Sequence, residues 1–278
     1  MAFLDPKTDF AFKKIFGSSQ SKEILREFLN AILHQGEEVI VDLEILDPYQ
    51  SPPLLGMKET FLDVRAKLQT EELVLIEMQV LNPLDFNKRV LYNTAKAYST
   101  QLQRGQGYTA LRPVIAVTIA DFILFPERSD VISHYKLLST QDYLPYGDDI
   151  ELVFVELPKF QKSLESLEDL ADRWIFFLQK TATLDQAPPL LCQSPGLELA
   201  LQIAERANLS EMEYELLERQ ELALQDNRNI VLKAAQEGVL AGKREVARSL
   251  LGVLPLEVIS EKTGLSVAEL EVLQQNEA

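Results

Sequence analysis

The chain has 278 residues, 46% of them apolar, which suffices for a packed core and leaves room for one large domain or two smaller ones. Its net charge of −16 excludes a protein that coats nucleic acid by bulk attraction. Its single cysteine, Cys192, excludes an internal disulfide, and with two histidines it gives no zinc site of the usual ligand types. The lone cysteine fits a reducing cytoplasm.

The N-terminal stretch MAFLDPKTDFAFKK has early acids and no apolar h-region, so it does not read as a signal peptide. No run approaches the roughly 20 apolar residues of a membrane helix. The first 33 residues read as two helices. Phe12, Ile15 and Phe16 share a side of the first. Ile24, Leu25, Phe28, Leu29 and Ile32 recur at helical spacing in the second, with Ser21 as its expected N-cap.

EVIVDLEILDP alternates and stops at Pro48, so it reads as a strand. After the Pro/Gly-containing loop YQSPPLLGMK come two apolar runs, FLDVRAKL and LVLIEMQVL. Each contains polar residues that a core strand rarely carries, because an unpaired buried carboxylate is costly. Alternation puts Asp63, Arg65 and Lys67 on one face of the first run, and Leu75, Glu77 and Gln79 on one face of the second. A short turn near QTEE would join the runs as an antiparallel hairpin. Asp63 lies on the side of Glu77 and Gln79 only if paired residue numbers sum to an even value; a slip of one residue removes the site.

In that register two carboxylates converge, and their repulsion calls for a cation between them. Mg²⁺ suits such a pair, since it takes oxygen ligands and retains waters. Asp63 and Glu77 would hold Mg²⁺ or Mn²⁺, and Gln79 would orient water. Acids on the wet face of an edge hairpin explain the same residues without any chemistry, and that reading stays open here.

Downstream of Pro83 the period becomes helical, from about Asp85 to Gln103, with Gly105 and Gly107 ending the helix. Lys88, Arg89, Lys96, Arg104 and Arg112 stand against Asp85 alone in this stretch, the one basic segment of the chain. It reads either as a phosphate-facing surface or as a solvated helix face. RPVIAVTIAD is a buried strand, followed by the strand-like runs VISHYKLLS and IELVFVEL. His134 alternates with apolar neighbours and His34 stands near a helix end; neither is assigned chemistry.

From about Ser163 the pattern is helical and acidic, with TLDQAPPLLCQSPG as the best linker candidate. Residues 121–278 carry a net −14, against −2 for residues 1–120. EMEYELLERQELALQ and a second segment from about Asn227 to Leu251 read as separate long helices. The tail is a helix–turn–helix whose second helix lacks Lys and Arg, which favours a packing or oligomerisation hairpin over DNA reading.

DPKTDFAFKKIFG, FLNAIL, FLDVRA, IEMQV, KRVLYNTAKAYSTQL and GYTALRPVIAVTIADF occur in an order that resembles the recombination-promoting nuclease (Rpn) family, often labelled transposases, of the PD-(D/E)XK superfamily. The resemblance spans residues 3–160. It implies an α/β fold: a mixed α+β sheet with a PD-(D/E)XK restriction-endonuclease-like core in residues 1–162 and an all-helical extension in residues 163–278. It also implies metal-dependent cleavage of DNA. On that resemblance Asp63 and Glu77 match the two motif acids, and Gln79 stands at the motif's terminal Lys, as is usual in this family. Asp9 and Lys13 match the N-terminal acidic and Phe-Lys positions. Arg89 and Tyr92 match the Arg and Tyr that follow, and with Lys88 they are the expected DNA contacts. The alternatives are a catalytically silent DNA-binding or protein-interaction module on the same fold, and a helical oligomerisation scaffold.

Overall fold

The computed structural model describes residues 2–50 and 60–275. Most of the loop expected between residues 49 and 58 lies outside them. The described elements run α1 (Asp9–Phe16), α2 (Lys22–His34), β1 (Leu43–Leu46), β2 (Tyr49–Gln50), β3 (Thr60–Phe61), β4 (Val64–Leu68), β5 (Leu73–Gln79), α3 (Phe86–Ser99), β6 (Val114–Ala120), β7 (Ile132–Lys136) and β8 (Ile150–Glu156). Five helices follow: α4 (Leu170–Lys180), α5 (Pro195–Ala204), α6 (Glu211–Leu250), α7 (Leu256–Thr263) and α8 (Val267–Gln275).

Thr8 starts α1 by accepting the Ala11 N–H on its hydroxyl. Ser21 precedes α2 as expected, yet its hydroxyl caps nothing; it is 2.6 Å from the hydroxyl of Ser18 instead. β1 is shorter than its alternating run because Val39 and Val41 are exposed and only Leu43 onward pairs with β4. α3 stops at Ser99, several residues before the glycines expected to end it.

Six strands form one mixed sheet in the order β1-β4-β5-β6-β8-β7, and β2 and β3 form a separate pair. β4 and β5 are antiparallel in a register whose pairs, such as Val64↔Ile76 and Arg65↔Leu75, sum to 140. β5, β6 and β8 run parallel, so their carboxyl ends, at Gln79, Ala120 and Glu156, lie together. α3 is the crossover between β5 and β6.

Alternation sends the two halves of each strand's side chains to two cores. Val64, Ala66, Val74, Ile76, Val117 and Val153 join Phe12, Phe16, Phe28, Trp174, Phe177 and Leu201 in the larger one. Leu73, Leu75, Val114, Ala116 and Phe154 join Phe86, Val90 and Ala97 beneath α3. The outcome is the expected mixed sheet with helices on both faces.

The chain forms two compact units, residues 1–220 and residues 221–278. Composition and periodicity instead suggest a boundary after Lys162. In the structure Trp174 of α4 is fully buried and stacks within 5.8 Å of Phe16 and 5.6 Å of Phe28. The apolar face of α4 therefore completes the core that α1 and α2 begin. The proline-rich stretch after α4 is packed as well, with Leu191 fully buried.

α6 is a single helix of 40 residues where the sequence suggests two. The polar link QDNRN contains no proline or glycine, so nothing stops the helix there. Within residues 221–278, Leu240, Ala247 and Leu251 of α6 and its C-terminal edge pack with Ile259, Leu265, Leu270 and Leu273 from the α7–α8 hairpin. Gly264 ends α7 at φ +69°, the left-handed C-cap that reverses the chain into α8.

Candidate active site

The carboxyl end of β5 gathers polar side chains from four elements. Glu77 and Gln79 alternate with Ile76 and Met78, so they face α3 while Ile76 enters the larger core. The β4–β5 register has the even parity the site requires, and it ends at Val64↔Ile76, with Asp63 in a bend just beyond it. Asp63 Oδ2 accepts the Met78 N–H at 2.7 Å, which ties the acid to β5 at the point where the ladder ends.

Burial is the main reason that the Asp63 carboxyl rises from an ordinary 3.8 to about 6. The Met78 hydrogen bond and Lys13 pull it back down; Asp9 and Glu77 push it further up. Lys13 reaches Asp63 Oδ1 at 3.9 Å while bonded to Asp9 at 2.6 Å, one turn away on α1. Asp9 and Lys13, expected from sequence to belong to the site, are thus beside Asp63.

α3 supplies the rest. Asn93 donates from Nδ2 to Glu77 Oε1 at 2.8 Å. Arg89, one turn earlier, donates to Gln79 Oε1 at 2.6 Å and approaches Glu77 Oε2 at 3.5 Å. Gln79 in turn donates to the carbonyl of Leu81 at 2.9 Å, which fixes its amide with the oxygen toward Arg89. Lys88 is exposed and pairs with Asp85 at 2.9 Å. Tyr92 is half-exposed and, with Pro83, Leu84, Phe86, Lys88 and Arg89, lines a shallow depression next to the site. The basic surface expected along α3 is narrower than its sequence implies, because Arg89 turns inward and Lys96 is buried.

Three residues at this end of the sheet carry no clear mark in the sequence. Asn93 sits in a helix where a neutral amide carries no signal; only its spacing of four from Arg89 points to it. Asp121 follows β6 and donates its N–H to the Gln79 carbonyl at 2.9 Å, and Lys7 pairs with its carboxylate at 3.0 Å. Both reach the same end of the sheet only through the parallel pairing of β5 with β6.

The donor set suits a hard divalent ion. Asp63 and Glu77 offer carboxylate oxygens and Gln79 an amide oxygen, and Mg²⁺ ordinarily completes its shell with water. A cation would offset both the burial and the repulsion that raise Asp63. Among the described residues no group of three or more His, Cys, Asp and Glu side chains is gathered for a metal, so any ion here would rest on two acids.

His134 belongs elsewhere: it is on β7 and pairs with Glu151 at 2.8 Å. Among the described residues, no helix is long and apolar enough to cross a membrane. Comparison with known families gives a match over residues 6–234 to the PD-(D/E)XK nuclease family transposase model. No match was found among curated proteins or among solved structures.

Proposed function

The chain belongs to the PD-(D/E)XK nuclease family transposases, and from that premise we propose that it is a metal-dependent DNA endonuclease serving recombination or a mobile element. The observation that carries this reading is at the end of the β4–β5 ladder: Asp63 Oδ2 accepts the N–H of Met78, the residue between Glu77 and Gln79. Asp63 and Glu77 would hold Mg²⁺ or Mn²⁺. When bound, that ion would polarise a phosphoryl oxygen and lower the pKa of a water.

The chain's own residues account for the remaining steps. Gln79 orients the attacking water through its amide, which the Leu81 carbonyl holds in place. Asn93 keeps Glu77 aimed at the ion by satisfying one of its oxygens. Lys13 offsets part of the charge on Asp63 and Asp9. Lys88 and Tyr92 are at the rim, where a phosphate backbone would pass, and Arg89 lies just inside it. A neutral amide at position 79 supplies no charge to the departing oxygen, so slow turnover is expected.

A second reading, a silent DNA-binding or protein-interaction module, draws support from one observation: Arg89 already occupies oxygens of Glu77 and Gln79. Supercoiled plasmid incubated with Mg²⁺ or Mn²⁺ separates the two. The nuclease reading predicts nicking by the wild type, at least about 100-fold slower in Asp63→Ala and Glu77→Ala. Nicking that persists at full rate in both variants would reject this site, and no nicking by the wild type would favour the silent module.

A further inference from the structure

Arg89 contacts oxygens that a divalent ion held by Glu77 would compete for. Its guanidinium donates to Gln79 Oε1, the amide oxygen at the site, at 2.6 Å and lies 3.5 Å from Oε2 of the metal ligand Glu77. The group is held from α3, over the ring of Phe86 at 5.0 Å from its centroid. Phe86 is itself buried, and its ring meets Phe122 edge-on at 5.5 Å. The Arg89 Nε is buried without a partner among the described residues, so the arginine's polar contacts at the site run through one terminal nitrogen.

An arginine does not leave such a seat by losing its proton, because its pKa lies far above any working pH. It leaves when something binds the same oxygens more strongly. A divalent cation is the obvious competitor: it carries twice the charge and takes the same lone pairs. The long side chain then swings outward about a fixed helix, toward the rim formed by Lys88 and Tyr92.

We propose that Arg89 is a displaceable counter-ion, seated on Glu77 and Gln79 in the metal-free protein and released toward phosphate when a divalent cation enters. The proposal rests on the metal-binding reading and adds a coupling to it. Cation binding frees an arginine for the DNA backbone, so metal and DNA strengthen each other's binding by the same factor. In the metal-free protein the same contact keeps Glu77 neutralised and the arginine withheld from nucleic acid.

The test uses the full chain and Mg²⁺ alone, with calorimetry for affinity and the ¹⁵N resonance of the Arg89 side chain, assigned by its loss in Arg89→Gln, for position. Arg89→Gln is expected to bind Mg²⁺ roughly tenfold more tightly, within the usual range of site–site coupling. In the wild type the Arg89 resonance should move with the midpoint of the binding heat. Lys88→Gln removes a nearby charge without touching the seat and should leave Mg²⁺ affinity within about twofold. Equal tightening by Lys88→Gln, or an unmoved Arg89 resonance in a protein that binds Mg²⁺, would overturn the counter-ion while sparing the metal site. If Asp63→Asn leaves Mg²⁺ binding unaltered, the metal reading fails, and the counter-ion with it.

Discussion

Asp63 is the residue on which burial and charge conflict most. In the metal-free protein its carboxyl is raised from 3.8 to about 6, so between those values the folded chain holds a proton that the unfolded chain has lost. The native state binds more protons there, and stability therefore falls as pH rises through that window. The penalty is complete above pH 6 and amounts to at most about 3 kcal/mol. Asp63→Asn should remove it. The variant is expected to melt above the wild type at about pH 7.5 and together with it at about pH 4, in thermal scans with EDTA. Adding Mg²⁺ should raise the wild-type midpoint and leave Asp63→Asn where it was. Asn93→Ala belongs to the same scale. It strips Glu77 of a neutral donor at 2.8 Å, so nicking should drop about 10- to 100-fold while the fold survives, as plasmid assays and circular dichroism would report.

Among the elements, the β4–β5 hairpin decides whether there is a site at all. Its turn closes with the Leu68 N–H on the Glu72 carbonyl at 2.9 Å and puts Glu71 at φ +72°. That left-handed conformation is costly for a side chain with a Cβ, and the Glu71–Lys67 pair that accompanies it is exposed. Glu71→Gly should therefore stabilise the protein by about 0.5–1 kcal/mol in urea unfolding, with nicking unchanged. The pairing is legible from sequence because Val64, Ala66 and Leu68 alternate and need a buried face; the bend at Asp63, across which Leu62 joins the core beneath α3, is not legible there. The role of α3 is legible only in part. Its register gives Arg89 and Tyr92 the same helical neighbourhood, yet the inward turn of Arg89 depends on Gln79 and Phe86, which are brought to it by tertiary packing. Asn93 is invisible in the sequence for the same reason.

Across the molecule as a whole, the α/β order of elements can be read along the chain, whereas the extent of the core cannot. Trp174 is 158 residues from Phe16, and only the folded sheet brings them together. A chain cut after residue 162 loses Trp174, Phe177 and Leu201 and leaves Phe16 and Phe28 uncovered. It should show no cooperative thermal transition, whereas residues 1–220 should melt as one unit, since losing a buried tryptophan alone costs about 3–5 kcal/mol. The acidic excess is not spread evenly through the C-terminal half. Residues 221–278 hold nine acids against six bases, so most of the excess lies in residues 121–220. Removing residues 221–278 is thus expected to change DNA affinity at low salt by less than about threefold in anisotropy titrations. A much larger gain would mean that this segment screens the site.

Whether Asp63 and Glu77 share a divalent cation at the carboxyl end of β5 can be read directly from crystals soaked in Mn²⁺ and measured at the manganese absorption edge. A shared ion gives an anomalous peak within coordination distance of a carboxylate oxygen of each acid, with the Arg89 guanidinium shifted off Gln79. Manganese bound elsewhere, or a soaked crystal in which Arg89 still sits on Glu77 and Gln79 with no peak beside it, would contradict a metal-dependent site built on these two acids.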